Sequence, residues 1–465
     1  MSQSPDSSDA APRAAIGAAP ASPEHFRSLR PIDWENPHPL YVVWEITLKC
    51  DLGCKHCGSR AGHARDDELN TAQCLDTVRE LSEMGVREVT LIGGEAYLRE
   101  DWDIIARAIT DRGMAVGITT GARNLTDERI QRAVDAGVQS ISISLDGLER
   151  THDAQRGARG AWRAATEAAR KVAKTRMRLA TNTQINRLSL PEVPALADLL
   201  VDLGSKAWQI QLTVPMGRGA DRPDLLLQPW ELAALFPVLV YIKREKLDAG
   251  GVKLYPGNNV GYFGPYEAAL RHFGERGAHW GGCPAGKWSL GLEADGKIKA
   301  CPSLPSEEYT GGMIGQRPIA DVVYNSPELT FIKNRTREDL WGYCRECYYA
   351  DVCKAGCTWT SQVFFGKPGN NPYCVHRSIE MEKRGVRETL VQIERAPGRP
   401  FDQGRFDIVE EPLDARPVSF SGFPLEHITA VDWKSGGVWT DEQLAAALAP
   451  KLAGPTRTSR LHIVT

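Results

Sequence analysis

The chain has 465 residues, a formal net charge of −3 and an isoelectric point near 6.4. A single hydrophobic core rarely grows to this length, so about two or three domains are expected. The near balance of charges gives no reason to expect nucleic-acid binding, and no apolar run of about 18 residues predicts a membrane span.

Ten of the eleven cysteines fall into two groups along the sequence: a first cysteine field at residues 50–57 and a second cysteine field at residues 283–374. Residues 1–37 lack the apolar core of a secretory signal, and the chain is too long for a small disulfide scaffold. Clustered cysteines in such a chain favour metal binding in a reducing compartment. We therefore expect a cytoplasmic protein.

Residues 1–37 are rich in Ala, Pro and Ser and predict a flexible tail. From Tyr41 onward, short β-branched runs alternate with amphipathic segments. The runs predict strands at residues 42–48, 86–92, 115–119, 140–145, 178–184 and 208–214. The segments predict helices at residues 71–84, 101–112, 126–136, 161–175 and 190–203, the first capped by Asn70 or Thr71 and ended by Gly85. This alternation predicts an α/β fold with parallel strands covered by helices.

Three cysteines follow the first predicted strand: Cys50, Cys54 and Cys57, in the spacing C-x3-C-x2-C. Cysteine thiolates are the usual ligands of iron–sulfur clusters, and three ligands for four irons leave one iron open to a small molecule. Structural zinc is the alternative, and it needs four ligands in a closed tetrahedron. His56 is a candidate fourth ligand, but its place between Cys54 and Cys57 suits the same tetrahedron poorly.

With this spacing the sequence resembles the radical S-adenosylmethionine (radical SAM) superfamily. The resemblance implies a [4Fe–4S] cluster on these three cysteines, whose open iron binds the amino and carboxylate groups of SAM. An electron then breaks the sulfonium bond to give methionine and a 5′-deoxyadenosyl radical. It also implies a partial (β/α)6 TIM-type barrel for residues 38–219 and an electron donor such as a flavodoxin or a ferredoxin.

Polar residues at the ends of the predicted strands are candidates for binding SAM, because barrel chemistry lies at those ends. Gly93, Gly94 and Glu95 follow the second strand and resemble the family's Gly-Gly-Glu-Pro motif, although Ala96 stands where the family has proline. The resemblance implies that the Glu95 carboxylate accepts hydrogen bonds from the amino group of SAM. A Gly-Gly-Glu segment is also an ordinary turn.

Two further strand ends carry weaker signals. Ser144 lies in a Ser-Leu-Asp-Gly segment that resembles the family's S-x-D-G, whose serine helps to hold the ribose and methionyl end of SAM. Asn182 lies where the family often places a ribose contact. Residues 152–157 and residues 215–219 also resemble family segments, the latter as an adenosine contact or a simple turn. Strand-end polar residues are otherwise helix caps or turn residues.

A second cysteine field lies between residues 283 and 374. Its spacing is C-x12-G-x4-C followed by C-x2-C-x5-C-x3-C and a last cysteine. Residues 290–293 and 297–300 predict a β-hairpin that brings the first two of these cysteines to a shared metal. Two zinc sites are the alternative. The field consists of Cys283, Cys301, Cys344, Cys347, Cys353, Cys357 and Cys374.

This second field resembles the SPASM extension of radical SAM enzymes, which holds two auxiliary [4Fe–4S] clusters. The resemblance assigns residues 283–390 to a small cysteine-rich SPASM domain. It implies an outer cluster fully ligated by Cys344, Cys347, Cys353 and Cys374. It implies an inner cluster held by Cys283, Cys301 and Cys357, with its fourth site open or filled from elsewhere.

The remaining segments carry fewer signals. Residues 220–282 connect the barrel to the SPASM domain and predict one amphipathic helix at residues 231–247. An Arg- and Glu-rich helix is expected to continue past Met381 and fade near Glu394. Residues 391–465 are a C-terminal tail of unknown role with one predicted helix at residues 440–451. Cys74 lies at helical spacing with apolar residues and is expected in the core.

The resemblance implies a radical SAM enzyme that crosslinks or dehydrogenates its substrate, because an auxiliary cluster can take the second electron. SPASM relatives mostly act on peptides, so a ribosomally synthesised peptide is the leading substrate class, with no nucleic-acid or membrane partner. No residue identifies a catalytic acid or base. The alternatives are an enzyme acting on a small molecule or cofactor precursor, and a zinc-stabilised binding protein.

Overall fold

The structure is a computed structural model that describes residues 29–271 and 280–413. The strands within those residues are β1 (Tyr41–Glu45), β2 (Glu88–Ile92), β3 (Ala115–Thr120), β4 (Ser140–Ser144), β5 (Arg178–Ile185), β6 (Ala207–Leu212), β7 (Lys253–Pro256), β8 (Ser289–Leu292), β9 (Lys297–Lys299), β10 (Gly312–Met313), β11 (Val386–Glu394) and β12 (Arg405–Pro412). Ten of them form one sheet in the order β10-β9-β8-β1-β2-β3-β4-β5-β6-β7. All pairs from β8 through β1 to β7 are parallel.

Helices fill the connections between these strands. Within the described residues they are α1 (Pro31–Glu35), α2 (Thr71–Glu83), α3 (Trp102–Asp111), α4 (Asp127–Asp135), α5 (Glu149–Arg156), α6 (Ala161–Val172), α7 (Val193–Asp202), α8 (Leu232–Ile242), α9 (Glu267–Arg271), α10 (Ser306–Tyr309), α11 (Ile319–Asn325), α12 (Pro327–Asn334), α13 (Gly342–Glu346), α14 (Ala350–Cys353), α15 (Thr358–Phe365) and α16 (Val375–Lys383). The six predicted strands and the helices between them are confirmed, and so is the α/β fold with a partial barrel of parallel strands.

The first barrel helix shows why the local sequence specifies these elements. The Asn70 side chain accepts a hydrogen bond from the Gln73 N–H at 3.0 Å, and the Gln73 side chain accepts one from the Asn70 N–H. This capping box satisfies two donors that a helix start leaves open. At the other end Gly85 adopts a φ of +81°, a conformation that glycine reaches without strain. Both ends lie where the sequence predicts them.

The two faces of the barrel sheet differ in chemistry. Along β4, β5 and β6 every second residue is fully buried, and these side chains pack with the apolar faces of the helices. The alternate residues are half-buried and mostly polar, and they line the interior of the barrel. Because side chains in a strand alternate between faces, this pattern places a polar lining inside and the main apolar core outside the sheet. Trp44 and Trp208 are fully buried in that outer core.

The sheet is larger than the six predicted strands. β7 pairs with β6, and β8 pairs with β1, so residues assigned to the connecting segment and the SPASM domain extend the barrel sheet. β7 is only four residues long and ends at Pro256, and β8 contains Gly291, so neither has a strong local strand pattern. The predicted hairpin is confirmed as the antiparallel pair of β8 and β9.

The region after Met381 differs from the prediction. The helix expected to continue toward Glu394 ends at Lys383, and residues 386–394 form β11 instead. Its partner β12 lies in the predicted tail, so the pairing depends on chain more than ten residues away that a local pattern does not reveal. Residues 31–35, also placed in a tail, form α1, and the buried Asp33 binds Arg87. The predicted helix at residues 440–451 lies outside the described residues.

The helix predicted as amphipathic at residues 231–247 is largely apolar. It forms α8 and continues into a π-helical turn at Lys243–Leu247. The segment Pro223–Leu247, which includes it, is long and apolar enough to cross a membrane by length and composition, but 67% of its most apolar window is buried inside the protein. This degree of burial is typical of a core helix of a globular domain.

Candidate functional site

The three cysteines of the first field lie on a loop at the carboxyl end of β1. Hydrogen bonds tie this loop to the loop after β2: the Gly94 N–H donates to the Thr47 carbonyl and the Glu95 N–H donates to the Lys49 carbonyl, each at 2.8 Å. The end of β2 therefore fixes the start of the cysteine loop, which contains Cys50.

Glycine is required at the contact between these two loops. A Cβ atom on Gly93 would lie 2.2 Å from the Thr47 carbonyl oxygen. A Cβ atom on Gly94 would lie 2.3 Å from the Lys49 carbonyl oxygen and 2.6 Å from the Cβ of Cys50. No real side chain fits at such distances, so both glycines serve the close approach of the backbones. The predicted glycine pair thus acts on the position of the cysteines.

A substitution tests this packing. Gly94→Ala is expected to push the cysteine loop away from β2 and to remove the iron bound there, about four atoms per chain, together with cleavage of SAM. The matched control is Gly62→Ala on the same loop, where a Cβ would meet nothing within 4 Å. Iron analysis and the yield of 5′-deoxyadenosine from SAM measure the two effects. Equal iron and equal cleavage in both variants would contradict this account of Gly94.

Glu95 is buried beside the cysteine loop. Its carboxylate accepts hydrogen bonds from the Thr120 hydroxyl and, at 2.7 Å, from the Gly121 N–H. Burial raises the pKa of Glu95 to about 7, against the lowering effect of these hydrogen bonds. The Cys50 sulfur, a carboxylate oxygen of Asp51 and one of Glu95 lie within 4.8 Å of one another. A buried carboxylate in this position can bind a cationic group beside the cysteine loop.

A buried charged network supports the other side of the loop. The Asp146 carboxylate lies 2.6 Å from Arg156 Nη2 and 3.3 Å from His56 Nε2. Arg156 Nη1 in turn points at the Cys54 sulfur, 3.6 Å away. The pKa of Asp146 is held well below its usual range by Arg156 and His56, which outweigh the opposing effect of its burial. His56 therefore binds Asp146, and this interaction gives it a role other than a fourth metal ligand.

Two arginines hold the outer side of the loop. Arg218 donates from Nε to the Cys54 carbonyl oxygen at 2.7 Å. This contact gives the segment at residues 215–219 an anchoring role. Arg60 pairs with Asp221 at 2.7 Å and with Asp402 at 2.9 Å. Asp402 lies in the predicted C-terminal tail, so that part of the chain returns to cover the cysteine loop.

Ser144 and Asn182 are brought together by the sheet. They are register partners on β4 and β5, and Asn182 is in turn the register partner of Gln209 on β6. One step further along, the Gln184 amide donates to the Gln211 side chain at 3.0 Å. The glutamines were not singled out in the sequence, although the alternation of Gln with buried Trp, Ile and Leu on β6 is the signal that places them on the inner face.

The second cysteine field separates into two groups. Among the largest electrostatic influences, Cys301 and Cys357 feel Cys283, whereas Cys353 and Cys374 feel Cys344 and Cys347. Burial raises the pKa of Cys301 to about 11 and that of Cys357 and Cys374 to about 12. Burial therefore disfavours the free thiolates, and a metal cation bound between grouped cysteines would offset their negative charge. The inner group is Cys283, Cys301 and Cys357, and the outer group is Cys344, Cys347, Cys353 and Cys374.

The outer group lines a cavity that is otherwise mostly aromatic. Its walls include Tyr262, Phe263, Tyr349 and His376 besides the four cysteines. Phe263 stacks on Tyr349 with ring centroids 4.2 Å apart, and the Tyr262 hydroxyl accepts a hydrogen bond from the Cys357 N–H at 2.9 Å. Tyr262 thus lies between the inner and outer groups. Although Tyr262 precedes the second cysteine field in the sequence, it packs against both of its groups.

Cys74 is the one cysteine outside these groups. It is 1% exposed on α2 and packs in the main core, where its thiol points at the Leu69 carbonyl oxygen. The expectation that Cys74 is a core residue is therefore confirmed.

A barrel of parallel strands that gathers three cysteines and a buried glutamate at its carboxyl edge defines a class of protein, the iron–sulfur enzymes that bind a small cofactor at an open iron. The profile of the Radical SAM superfamily matches residues 44–200. Over 359 residues the chain is 30% identical to the AdoMet-dependent heme synthase of Methanosarcina barkeri, covering 73% of this chain and 97% of that relative. The chain belongs to the radical SAM superfamily.

Other relatives agree with this assignment. The chain is 28% identical over 385 residues to the mycofactocin maturase MftC of Mycobacterium tuberculosis, covering 81% of this chain and 91% of the relative. Its fold is similar to that of Streptococcus suis SuiB bound to the precursor peptide SuiA, with a TM-score of 0.57 at 16% identity, covering 74% of this chain and 76% of that one. SAM and iron–sulfur clusters are accordingly the cofactors of this protein, as the sequence predicts.

Proposed function

We propose that the protein reductively cleaves SAM and uses the 5′-deoxyadenosyl radical to crosslink or dehydrogenate a ribosomally synthesised peptide. The observation that carries the proposal is the meeting of the buried Glu95 carboxylate, which follows β2, with Cys50 on the loop that also presents Cys54 and Cys57. A thiolate-held cluster and an acceptor for the SAM amino group are the two things that reductive cleavage requires.

Each residue at this edge of the barrel has a role in the proposal. Cys50, Cys54 and Cys57 hold the cluster, which when bound supplies one electron to SAM from a flavodoxin or ferredoxin. Glu95 accepts hydrogen bonds from the amino group of SAM, and that ammonium offsets the desolvation of the carboxylate. Ser144 reaches the ribose and methionyl end of SAM from β4.

Asn182 is proposed as a second ribose contact, because it is the register partner of Ser144 on the inner face of the sheet. The auxiliary field, residues 283–390, is proposed to hold two [4Fe–4S] clusters on the inner and outer groups of cysteines. The outer group supplies four thiols, which is a complete ligand set, and the inner group supplies three. These sites take up the second electron of a two-electron oxidation.

The polar inner wall of the barrel supports a peptide as substrate. Gln184, Gln209 and Gln211 present uncharged amides on two adjacent strands, and amides are matched donors and acceptors for peptide backbone. A haem-like tetrapyrrole carries carboxylates, which favour arginine or lysine as partners. The fold of SuiB, which holds a precursor peptide, is a further reason to favour this class.

The second candidate is an enzyme acting on a small molecule or cofactor precursor. The M. barkeri heme synthase favours it, since the match covers 97% of that relative, from barrel to auxiliary field. The two candidates share the SAM chemistry and differ only in what the inner wall binds.

Co-expression distinguishes these candidates. The protein is produced with each short peptide encoded next to its own gene, and the peptides are analysed by mass spectrometry. A crosslink or a dehydrogenation removes two hydrogens, so a mass loss of about 2 Da is expected. The control is Glu95→Gln, which keeps the shape of the side chain and is expected to leave the peptide unchanged. Unmodified peptides, with 5′-deoxyadenosine formed on addition of a carboxylated porphyrin, would contradict the peptide assignment.

A further inference from the structure

The inner and outer groups of cysteines differ in the charge that surrounds them. Each has one buried arginine: Arg335 at the inner group and Arg377 at the outer group, exposed by 4% and 3%. Arg335 interacts electrostatically with Cys283 and Cys357, whereas Arg377 interacts with Cys344 and Cys374. The two arginines are therefore comparable in position and burial.

The partners of the two guanidinium groups are not comparable. Arg377 forms a bidentate pair with Glu388, with Nε and Nη2 at 2.6 and 2.7 Å from the carboxylate oxygens. Its remaining nitrogen donates to Asn370 at 2.7 Å. The buried carboxylate neutralises this arginine, so the outer group receives little net positive charge from it.

Among the residues that the structure describes, no carboxylate forms such a buried pair with Arg335, and its acidic neighbour Asp339 is exposed to water. Arg335 Nη1 donates a hydrogen bond to the Thr358 hydroxyl at 3.1 Å, and Thr358 directly follows Cys357 in the chain. Its Nη2 is buried and has no hydrogen-bond partner in the described part of the protein. The Ser361 hydroxyl, in the first turn of α15, is also buried without a partner there, and the Thr360 side chain interacts with the Cys357 thiol. The Nη2 of Arg335 and the Ser361 hydroxyl thus lack partners in the described residues, and the sulfurs of a bound cluster would supply acceptors.

Other local features are shared and do not distinguish the sites. Cys357 precedes α15 and Cys374 precedes α16, so each site has one cysteine at a helix start. Lys299 lies near Cys301 but is paired with the buried Glu293. The difference that remains is an arginine without a buried carboxylate partner at a site with three thiols, compared with an arginine paired to a buried carboxylate at a site with four.

We propose that Arg335 is a positioning residue that makes the inner auxiliary site easier to reduce than the outer one. The reduction potential of an iron–sulfur cluster rises with a less negative net charge and with hydrogen bonds to its sulfurs. One fewer thiolate and a buried positive charge both act in this direction, and burial limits screening by water. The proposal rests on the proposed function, because it requires clusters in both auxiliary sites.

The test is a redox titration of the full chain with the first field removed by Cys50→Ala, Cys54→Ala and Cys57→Ala. The anaerobically loaded protein is reduced in steps with dithionite, which supplies one electron per cluster, and each sample is measured by electron paramagnetic resonance. Adding Cys344→Ala and Cys347→Ala removes the outer site and identifies the inner signal. The electron paramagnetic resonance signal of the reduced inner site is expected to appear first, while less than about a tenth of the outer site is reduced.

Substitution of Arg335 is the second part of the test. Arg335→Gln is expected to lower the ratio of reduced to oxidised inner site at a fixed potential by about tenfold, which is about 59 mV for one electron. Arg335→Lys keeps the charge and is expected to retain most of the potential. Arg345→Gln, on an exposed arginine between Cys344 and Cys347, is the control that should leave the inner signal unchanged.

The outcomes are distinguishable. Reduction of the outer site first, or of both sites together, would overturn the proposal, and this ordering is measured without any change at Arg335. An unchanged inner potential in a folded Arg335→Gln variant would overturn it as well. A protein that binds zinc or no metal at these seven cysteines would instead overturn the proposed function.

Discussion

Replacing Cys50, Cys54 and Cys57 together by alanine is expected to abolish reductive cleavage of SAM while auxiliary iron–sulfur absorption persists. Without three thiolates the loop holds no cluster, so no electron reaches SAM. The loop itself should remain folded, because its main anchors, such as the bond from Arg218 to the Cys54 carbonyl, use backbone atoms rather than thiols. Iron content should fall by about four atoms per chain.

The measurement is the rate of 5′-deoxyadenosine formation from SAM with dithionite under anaerobic conditions. A fall of at least about a thousandfold is expected, which corresponds to about 4 kcal/mol in the barrier. Cys74→Ala is the matched control, since it removes a buried cysteine thiol from the core without touching a metal site. Formation of 5′-deoxyadenosine at the original rate in the triple variant would show that these cysteines do not hold the reducing cluster.

Cys374→Ala is expected to separate radical formation from product formation. Cys374 is the proposed outer ligand furthest in sequence from the other three, and it immediately precedes α16, which contains Arg377. Its loss removes one of four outer thiols and one link between α16 and the cysteine-rich loops, so the stability of the auxiliary field should fall. The proposed SAM site uses a separate set of residues at the barrel edge, so the variant should continue to cleave SAM.

The expected signature is 5′-deoxyadenosine formed without substrate modification. With the peptide present, product per SAM cleaved should fall below about a tenth of the unsubstituted value, a loss of more than about 1.4 kcal/mol. Cys74→Ala again serves as the control. Full product formation in Cys374→Ala would show that the outer site is dispensable. Loss of SAM cleavage in a folded variant would show that the two sites depend on each other.

The sequence predicted those parts of the fold that depend on local patterns. The six barrel strands and the cap at Asn70 follow from residue types within a few positions of each other. The spacing of Cys50, Cys54 and Cys57 places three ligands on one loop whatever the rest of the chain does. Gly94 and Glu95 were predicted as site residues because they follow a recognisable strand and resemble a family motif.

The parts that were missed depend on contacts between distant segments. β8 joins the sheet beside β1 across more than 240 residues, and β11 pairs with a strand from the predicted tail. Asp402 reaches the cysteine loop from the same region, at 2.9 Å from Arg60. A single sequence holds no local sign of such partners. The difference between Arg335 and Arg377 likewise depends on which one has a carboxylate nearby in space.

Metal content tests the central claim most directly. Iron, acid-labile sulfide and zinc are measured on the full chain after anaerobic purification and loading with iron and sulfide. Three [4Fe–4S] clusters predict about twelve irons and about twelve sulfides per chain, with little zinc. Iron and sulfide near four per chain, with about two zinc ions on the seven downstream cysteines, would contradict the account of the auxiliary field.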